Sequence, residues 1–320
     1  MAVTRFNILN NAAARTNYTK GVNLLKQEFP GNTTTSLGIP GPSKKVSTYD
    51  LFVVWHNTAM MTFTPPTQSD RNAAHRGPVF LPWHRFMLRQ LELNLQRVLH
   101  DNNFGLPYWD WAADGQLTAA RQKQSPLWAA TALGGQGSPV TTGPFAFNAA
   151  NPNSFRVRID EDPNGNLRQV DRGLRRSFAT SGVTTLPNKA QSASALALTP
   201  YDAANWDTSS SGFRNRVEGW QPAASAPGMH NRVHVWVGGD MLPSTSPNDP
   251  VFFMNHCNVD RIWEAWMHQH GRVYLPPDTA PNSLKGHRLN DQLSSLISAP
   301  TTPAAMLNVT TLYTYDSLAV

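Results

Sequence analysis

The feature that most constrains this chain is a helix-forming stretch that sets a histidine into its own apolar stripe. In "HRGPVFLPWHRFMLRQLELNLQRVL", residues 75–99, Leu88, Leu91, Leu95 and Val98 follow His84 at steps of four, three, four and three, the spacing of a helix that buries one face. His84 therefore points into a core, where an unpaired imidazole nitrogen costs about 1–3 kcal/mol. A hydrogen bond or a metal ion can supply the missing partner, and for one histidine alone the hydrogen bond is the commoner answer. The pattern, however, recurs. "STYDLFVVWHNTAMMTF" has Ser47 as a cap and the stripe Phe52, His56, Met60, Phe63, so His56 is expected to face inward on a helix reaching Phe63. "GMHNRVHVWVGGD" puts His230 and His234 four apart, on one helical face, before Gly238 and Gly239 stop it. In "SPNDPVFFMNHCNVDRIWEAWMHQHG", Asp249 before Pro250 opens a helix that carries Phe252, His256, Val259, Trp263 and Trp266 on one side. A polar loop after Pro65 and Pro66 carries His75.

A shorter helix is expected over 17–28, and a long one from about 83 to 101. From about 115 to 200 there is no sustained periodicity, and Gly, Pro, Ser, Thr and Asn dominate. With no linker or charge run in 320 residues, the chain reads as one domain, 1–320. The fold expected is mainly α: a four-helix bundle housing a dinuclear metal site, with long irregular loops and a few short strands.

Charge excludes some partners. The formal charge is +6, but only Lys44 and Lys45, and the group Arg172, Arg175 and Arg176, lie close together. That is a solvated basic surface with a mild attraction for small anions, and no nucleic acid is expected. No run approaches the roughly 20 apolar residues of a membrane span. One cysteine, Cys257, excludes an intramolecular disulfide, and "MAVTRFNILNN" lacks the apolar run of a signal peptide. The chain as given is expected in the cytoplasm, or exported by way of a partner or a trimmed leader.

Six of the ten histidines are thus inward or helix-paired: His56, His75 and His84 in the first half, His230, His234 and His256 in the second. His100, His268, His270 and His287 read as surface or supporting residues. Imidazole suits Zn, Cu, Fe and Ni, whereas di-iron bundles recruit Glu in an E-x-x-H pattern absent from this sequence. An all-imidazole pair of sites favours copper, and three ligands per ion leave a position open for chemistry. A zinc hydrolase would need a carboxylate near the histidines, and Glu218 is too isolated to serve.

Through "HRGPVFLPWHRFMLRQLE", "MHNRVHVWVGGDM" and "DPVFFMNHCNVDRIW" the sequence resembles the tyrosinase family of type-3 copper proteins. The resemblance runs from "YDLFVVWHN" to the late "LYTYD", which matches the family's paired-tyrosine motif at Tyr313 and Tyr315. It implies that His56, His75 and His84 bind one copper and His230, His234 and His256 the second. It further implies dioxygen as co-substrate, oxidation of phenols to o-quinones, Phe252 packed against a ligand of the second copper, and Glu218 with Asn231 holding a water nearby. Asn231, Val235 and the loop around Ser244 would line an open substrate entrance, with Phe252 also in the substrate pocket, so both monophenols and o-diphenols are expected. Catechol oxidase and o-aminophenol oxidase without monophenolase activity are the alternatives, and a shielded oxygen carrier ranks lower. No cysteine lies between residues 56 and 75, so His75 cannot carry the thioether of many eukaryotic members, and the chain looks like the bacterial branch. Cys257 follows a ligand and is turned about 100° from it on the helix, which makes it an inert buried residue. The chain stops at Val320, so the C-terminal domain that shields latent members is expected to be missing. A copper-delivery helper protein is a partner the resemblance allows, and the sequence leaves the oligomeric state open.

Overall fold

Four helices carry the inward stripes, and their contacts explain why they converge. The structure, a computed structural model, describes residues 2–221 and 227–320. In chain order it contains β1 (Val3–Arg5), α1 (Ala12–Gln27), α2 (Thr48–Met60), α3 (Phe80–Leu99), α4 (Trp111–Asp114), α5 (Ala119–Gln122), β2 (Val157–Glu161), β3 (Leu167–Arg172), α6 (Lys189–Leu196), α7 (Phe213–Glu218), α8 (Met229–Val237), α9 (Val251–His270) and β4 (Tyr313–Tyr315). The four-helix frame is α2, α3, α8 and α9. Trp55 of α2 packs edge-on against Trp83 and Phe86 of α3 at 5.4 and 5.3 Å, and Phe52 of α2 meets Phe253 of α9. One contiguous apolar cluster runs from Ile8 to Leu293, and seven tryptophans are buried to below 2 % exposure, which supplies much of the burial energy.

Helix α1 lies against α3 at Gly21, where an added Cβ would sit 2.6 Å from a Leu95 methyl. The glycine weakens α1 by about 0.5–1 kcal/mol relative to alanine, and the close approach of the two helices is what it permits.

The ends of the helices depart from the periodic pattern for local reasons. Helix α1 starts at Ala12, earlier than expected, because the Asn11 side chain accepts the Ala14 N–H at 2.9 Å, a cap that no apolar stripe announces. Helix α3 starts at Phe80, with Pro82 in its first turn where no N–H is needed. The expectation that α2 carries its stripe to Phe63 is corrected: the helix ends at Met60, and Phe63 is 41 % exposed. Thr64 precedes a proline and is pushed to extended backbone, while Phe63 pairs with Asn72 as the chain turns back. In the aperiodic middle region, β2 and β3 form an antiparallel hairpin, and α6 forms without an apolar stripe. Its start is a capping box in which Asn188 and Gln191 satisfy each other's backbone N–H.

The ends of the chain meet. β1 and β4 pair in parallel, Val3 opposite Tyr313 and Arg5 opposite Tyr315. This pairing brings Arg5 to Glu92 of α3 at 2.9 Å and to Asp260 of α9 at 3.2 Å. Arg85 of α3 reaches the other oxygen of Asp260 at 2.5 Å, and the hydroxyls of Tyr313 and Tyr315 donate to the same carboxylate at 2.7 and 2.5 Å. One buried carboxylate thus joins both termini to α3 and α9.

Candidate metal centre

Four of the six histidine rings are aimed by a hydrogen bond from Nδ1. His56 Nδ1 lies 2.6 Å from the Ser244 carbonyl, His84 Nδ1 2.8 Å from that of Phe80, and His234 Nδ1 2.6 Å from that of Met241. A carbonyl can only accept, so each Nδ1 carries the proton and each Nε2 presents a lone pair. The His230 Nδ1 is shared between the Glu218 carbonyl at 3.2 Å and the Asn231 Oδ1 at 3.0 Å. Gly219 makes this possible: with φ of +107° it ends α7, and an added Cβ there would come within 2.1 Å of the Gly228 carbonyl that leads into α8. His75 sits on the loop between α2 and α3, where Asn72 Oδ1 accepts its backbone N–H at 2.6 Å.

The rings form two facing sets. The ligand atoms of His56, His75 and His84 lie within 4.8 Å of one another, as do those of His230, His234 and His256. The sets touch through His84 and His256, stacked 4.0 Å apart at 11°. The Nε2 atoms of His56, His84 and His234 are buried without a hydrogen-bond partner, as are the Nδ1 atoms of His75 and His256. His230 and His256 turn their Nε2 atoms toward each other at 3.0 Å. The buried Nε2 lone pairs of His56, His84 and His234 have no donor, which is costly, and a cation in each set would satisfy them. Burial holds all six rings neutral: it pushes His56 down to about 3 and His234 to about 4, and moves the other four well below the usual imidazole range. Neutral imidazole is the form that binds metal, and six nitrogen donors with no carboxylate suit copper.

The remaining expected residues fall in three places. A cavity of about 330 Å³ opens over the histidines, and Asn231 and Val235 line it with His56, His75, His230 and His234. Phe252 lies beneath the rings instead, 1 % exposed, 4.2 Å from His256 and 4.9 Å from His56. Ser244 is corrected from an entrance residue to a support: its carbonyl orients His56, and its hydroxyl bonds Asn57 at 2.5 Å and Glu161. The Glu218 carboxylate is fully buried behind His230, bound by Arg214 at 2.9 Å and by the Arg76 N–H at 2.6 Å. Burial raises its pKa although Arg214 and the Arg76 amide oppose this.

Of the other histidines, His100 and His268 are exposed. His270 is half-buried against the Leu196 carbonyl at 2.8 Å. His287 is buried, its Nε2 2.8 Å from the Thr64 hydroxyl. Sequence reasoning missed the carbonyls of Phe80, Met241 and Ser244, which no side-chain pattern marks, and it missed Arg76 and Trp220 in the cavity wall. The arginine directly after a ligand histidine was the one available signal.

Cys257 is buried with its Sγ 3.4 Å from the Leu106 carbonyl, and burial pushes its thiol up to about 12. A thiol held protonated is a poor nucleophile. Titration of the native protein with a thiol-reactive disulfide at pH ~8 is expected to find no reactive cysteine, and in denaturant it is expected to find one. Rapid reaction of the folded protein would contradict this placement.

A mainly helical fold enclosing two facing imidazole triads defines a dinuclear metalloprotein of the type-3 copper class. Residues 46–269 match the family described as "Common central domain of tyrosinase". This chain belongs to the tyrosinase family. It is 40 % identical over 278 residues to a tyrosinase from Streptomyces antibioticus, covering 85 % of this chain and 90 % of that protein. It is 39 % identical over 297 residues to grixazone synthase from Streptomyces griseus, covering 85 % of this chain and 91 % of that protein. In fold it resembles a polyphenol oxidase from Thermothelomyces thermophila, with a TM-score of 0.72 and 23 % identity over 98 % of this chain and 88 % of that one. The protein is a copper-dependent oxidoreductase whose cofactor is a dinuclear copper centre with dioxygen as co-substrate. Among the described residues no helix is long and apolar enough to cross a membrane.

Proposed function

We propose that this chain oxidises both monophenols and o-diphenols to o-quinones, with His56, His75 and His84 holding one copper and His230, His234 and His256 the other. The observation that carries the reading is the cavity of about 330 Å³ above the triads, which has His56, His75, His230 and His234 in its wall. It lies at the low end of the range for small-molecule sites, and a single phenol ring suits it. The copper pair, when bound, supplies the two-electron chemistry with dioxygen.

The chain's own residues position the substrate and move its proton. Met60, Val235, Leu242 and Pro243 give the cavity an apolar wall for the ring, and Phe252 holds His56 and His256 apart from below. Asn231 stands in the wall beside His230. Glu218 and Asn231 are assigned the phenolic proton, taken through a water. A raised pKa favours proton acceptance, and the Glu218 oxygens have lone-pair capacity beyond the Arg76 and Arg214 donors they accept. The Ser244 carbonyl enters this reading only through the aim of His56.

Oxygen uptake by the copper-loaded protein on catechol, tyrosine, tyramine and o-aminophenol tests the proposal. Turnover of catechol together with tyrosine or tyramine is expected. Oxidation of catechol with both monophenols untouched would overturn the monophenolase half.

A further inference from the structure

Among the described side chains that line the cavity above the histidines, one carries a charge that no neighbour in the wall balances. Met60, Trp220, Val235, Leu242 and Pro243 in its wall are uncharged, its histidines are those assigned to the copper pair, and Arg76 is the one Lys, Arg, Asp or Glu among the described lining residues. Arg76 is exposed and directly follows His75. Its guanidinium lies 5.6 Å from the centre of the Trp220 ring, a contact that gives a planar cation a defined resting place. Its backbone φ of +62° is uncommon for a residue with a side chain, and the N–H it donates to Glu218 Oε1 at 2.6 Å fixes where that side chain leaves the loop.

No acidic group of this wall neutralises it. Glu218 binds the Arg76 backbone, not its guanidinium, and its own charge is matched by Arg214, which is also held by Asp202 at 2.8 Å. Residues 222–226, Pro, Ala, Ala, Ser and Ala, bring no charged side chain. A free guanidinium at the edge of an apolar cavity has the donor geometry to take a carboxylate with two parallel hydrogen bonds, and it repels an ammonium.

We propose that Arg76 is a specificity-determining residue, and that the enzyme selects phenols and catechols bearing a carboxylate on a short side chain over those bearing an amine. The inference rests on the phenol-oxidase reading above and names its substrate class. Because the group is exposed, attraction and repulsion are each worth only a few-fold, and both are weakened by salt.

The test compares kcat/KM of the copper-loaded protein for dihydroxyphenylpropionate, dopamine and the neutral methylcatechol, at low and high salt. Acid over amine is expected to be about tenfold at low salt, to fall toward unity in Arg76→Gln, to invert in Arg76→Glu, and to shrink with salt. Calorimetric titration of the wild-type protein with phenylpropionate and phenethylamine provides a readout independent of turnover, and the acid should bind more tightly with a gap that closes as salt rises. Equal rates for acid and amine in the wild type, or a preference that survives Arg76→Gln, overturn the proposal. If the variants fail to fold, the wild-type salt dependence and calorimetry decide. Failure of the phenol-oxidase reading shows differently, as no turnover of methylcatechol by the wild type, and the calorimetric comparison still stands.

Discussion

His84→Ala is expected to lower phenol oxidation by more than about 10³-fold, because loss of a metal's contribution removes several kcal/mol of barrier lowering. His84 makes the tightest contact between the two sets, stacked 4.0 Å from His256. Its Nδ1 is fixed to the Phe80 carbonyl one turn earlier in the same helix, so the ring cannot be replaced by water in the same geometry. Alanine removes one donor from a three-donor set and also the wall between the two. Loss of an outer partner of a ligand costs about 10–100-fold, and loss of the ligand itself should exceed that. The control is His268→Ala, on the exposed face of α9, which should leave oxygen uptake unchanged. Activity of His84→Ala within tenfold of the wild type, with helical content intact, would remove His84 from the site.

Asp260→Ala is expected to destabilise the fold by at least ~3–5 kcal/mol, the range for breaking a buried ion pair at one end. The carboxylate is 3 % exposed and receives Arg5, Arg85, Tyr313 and Tyr315. Its removal leaves Arg85 with Glu264 at 3.1 Å and Arg5 with Glu92, strands the buried Tyr313 hydroxyl, and leaves the Tyr315 hydroxyl only the Cys257 carbonyl at 3.1 Å. Tyr313→Phe, which removes one hydroxyl and keeps the ring under the Arg5 guanidinium at 3.4 Å, should cost only about 1 kcal/mol. Urea unfolding of the three proteins gives the comparison, and a loss below ~1 kcal/mol for Asp260→Ala would contradict it.

The same network predicts a direction with pH. Burial works against the Asp260 charge, but Arg85 and Arg5 outweigh it and hold the carboxyl below its ordinary value. A group whose folded pKa is depressed stabilises the protein above its unfolded value and loses that contribution as pH falls through the folded one. Asp260→Asn should therefore flatten the acid limb of the stability curve.

The helices and their inward rings were legible because period and ligand chemistry coincide: the stripe that buries Leu88 and Leu91 also buries His84. The resemblance then named the copper sets and the paired tyrosines. What escaped was carried by the backbone or by distance in the chain. The carbonyls of Ser244, Met241 and Phe80 leave no mark in side-chain identity, and the joining of Arg5 to Tyr313 and Tyr315 across the whole chain has no local signal. Phe63 was misplaced because its stripe fits a helix that Pro65 and Pro66 end. Ser244 was misplaced because a small residue beside a cavity reads as lining, whereas its carbonyl is the functional atom. Helix α6 was invisible to periodicity and rests on its cap.

Copper content per chain, measured after loading the metal-free protein and removing excess by gel filtration, tests the account most directly. Two triads predict two equivalents in the wild type and at most one in a variant that lacks both His56 and His84. A single equivalent in the wild type, or two retained when that triad is removed, would contradict it.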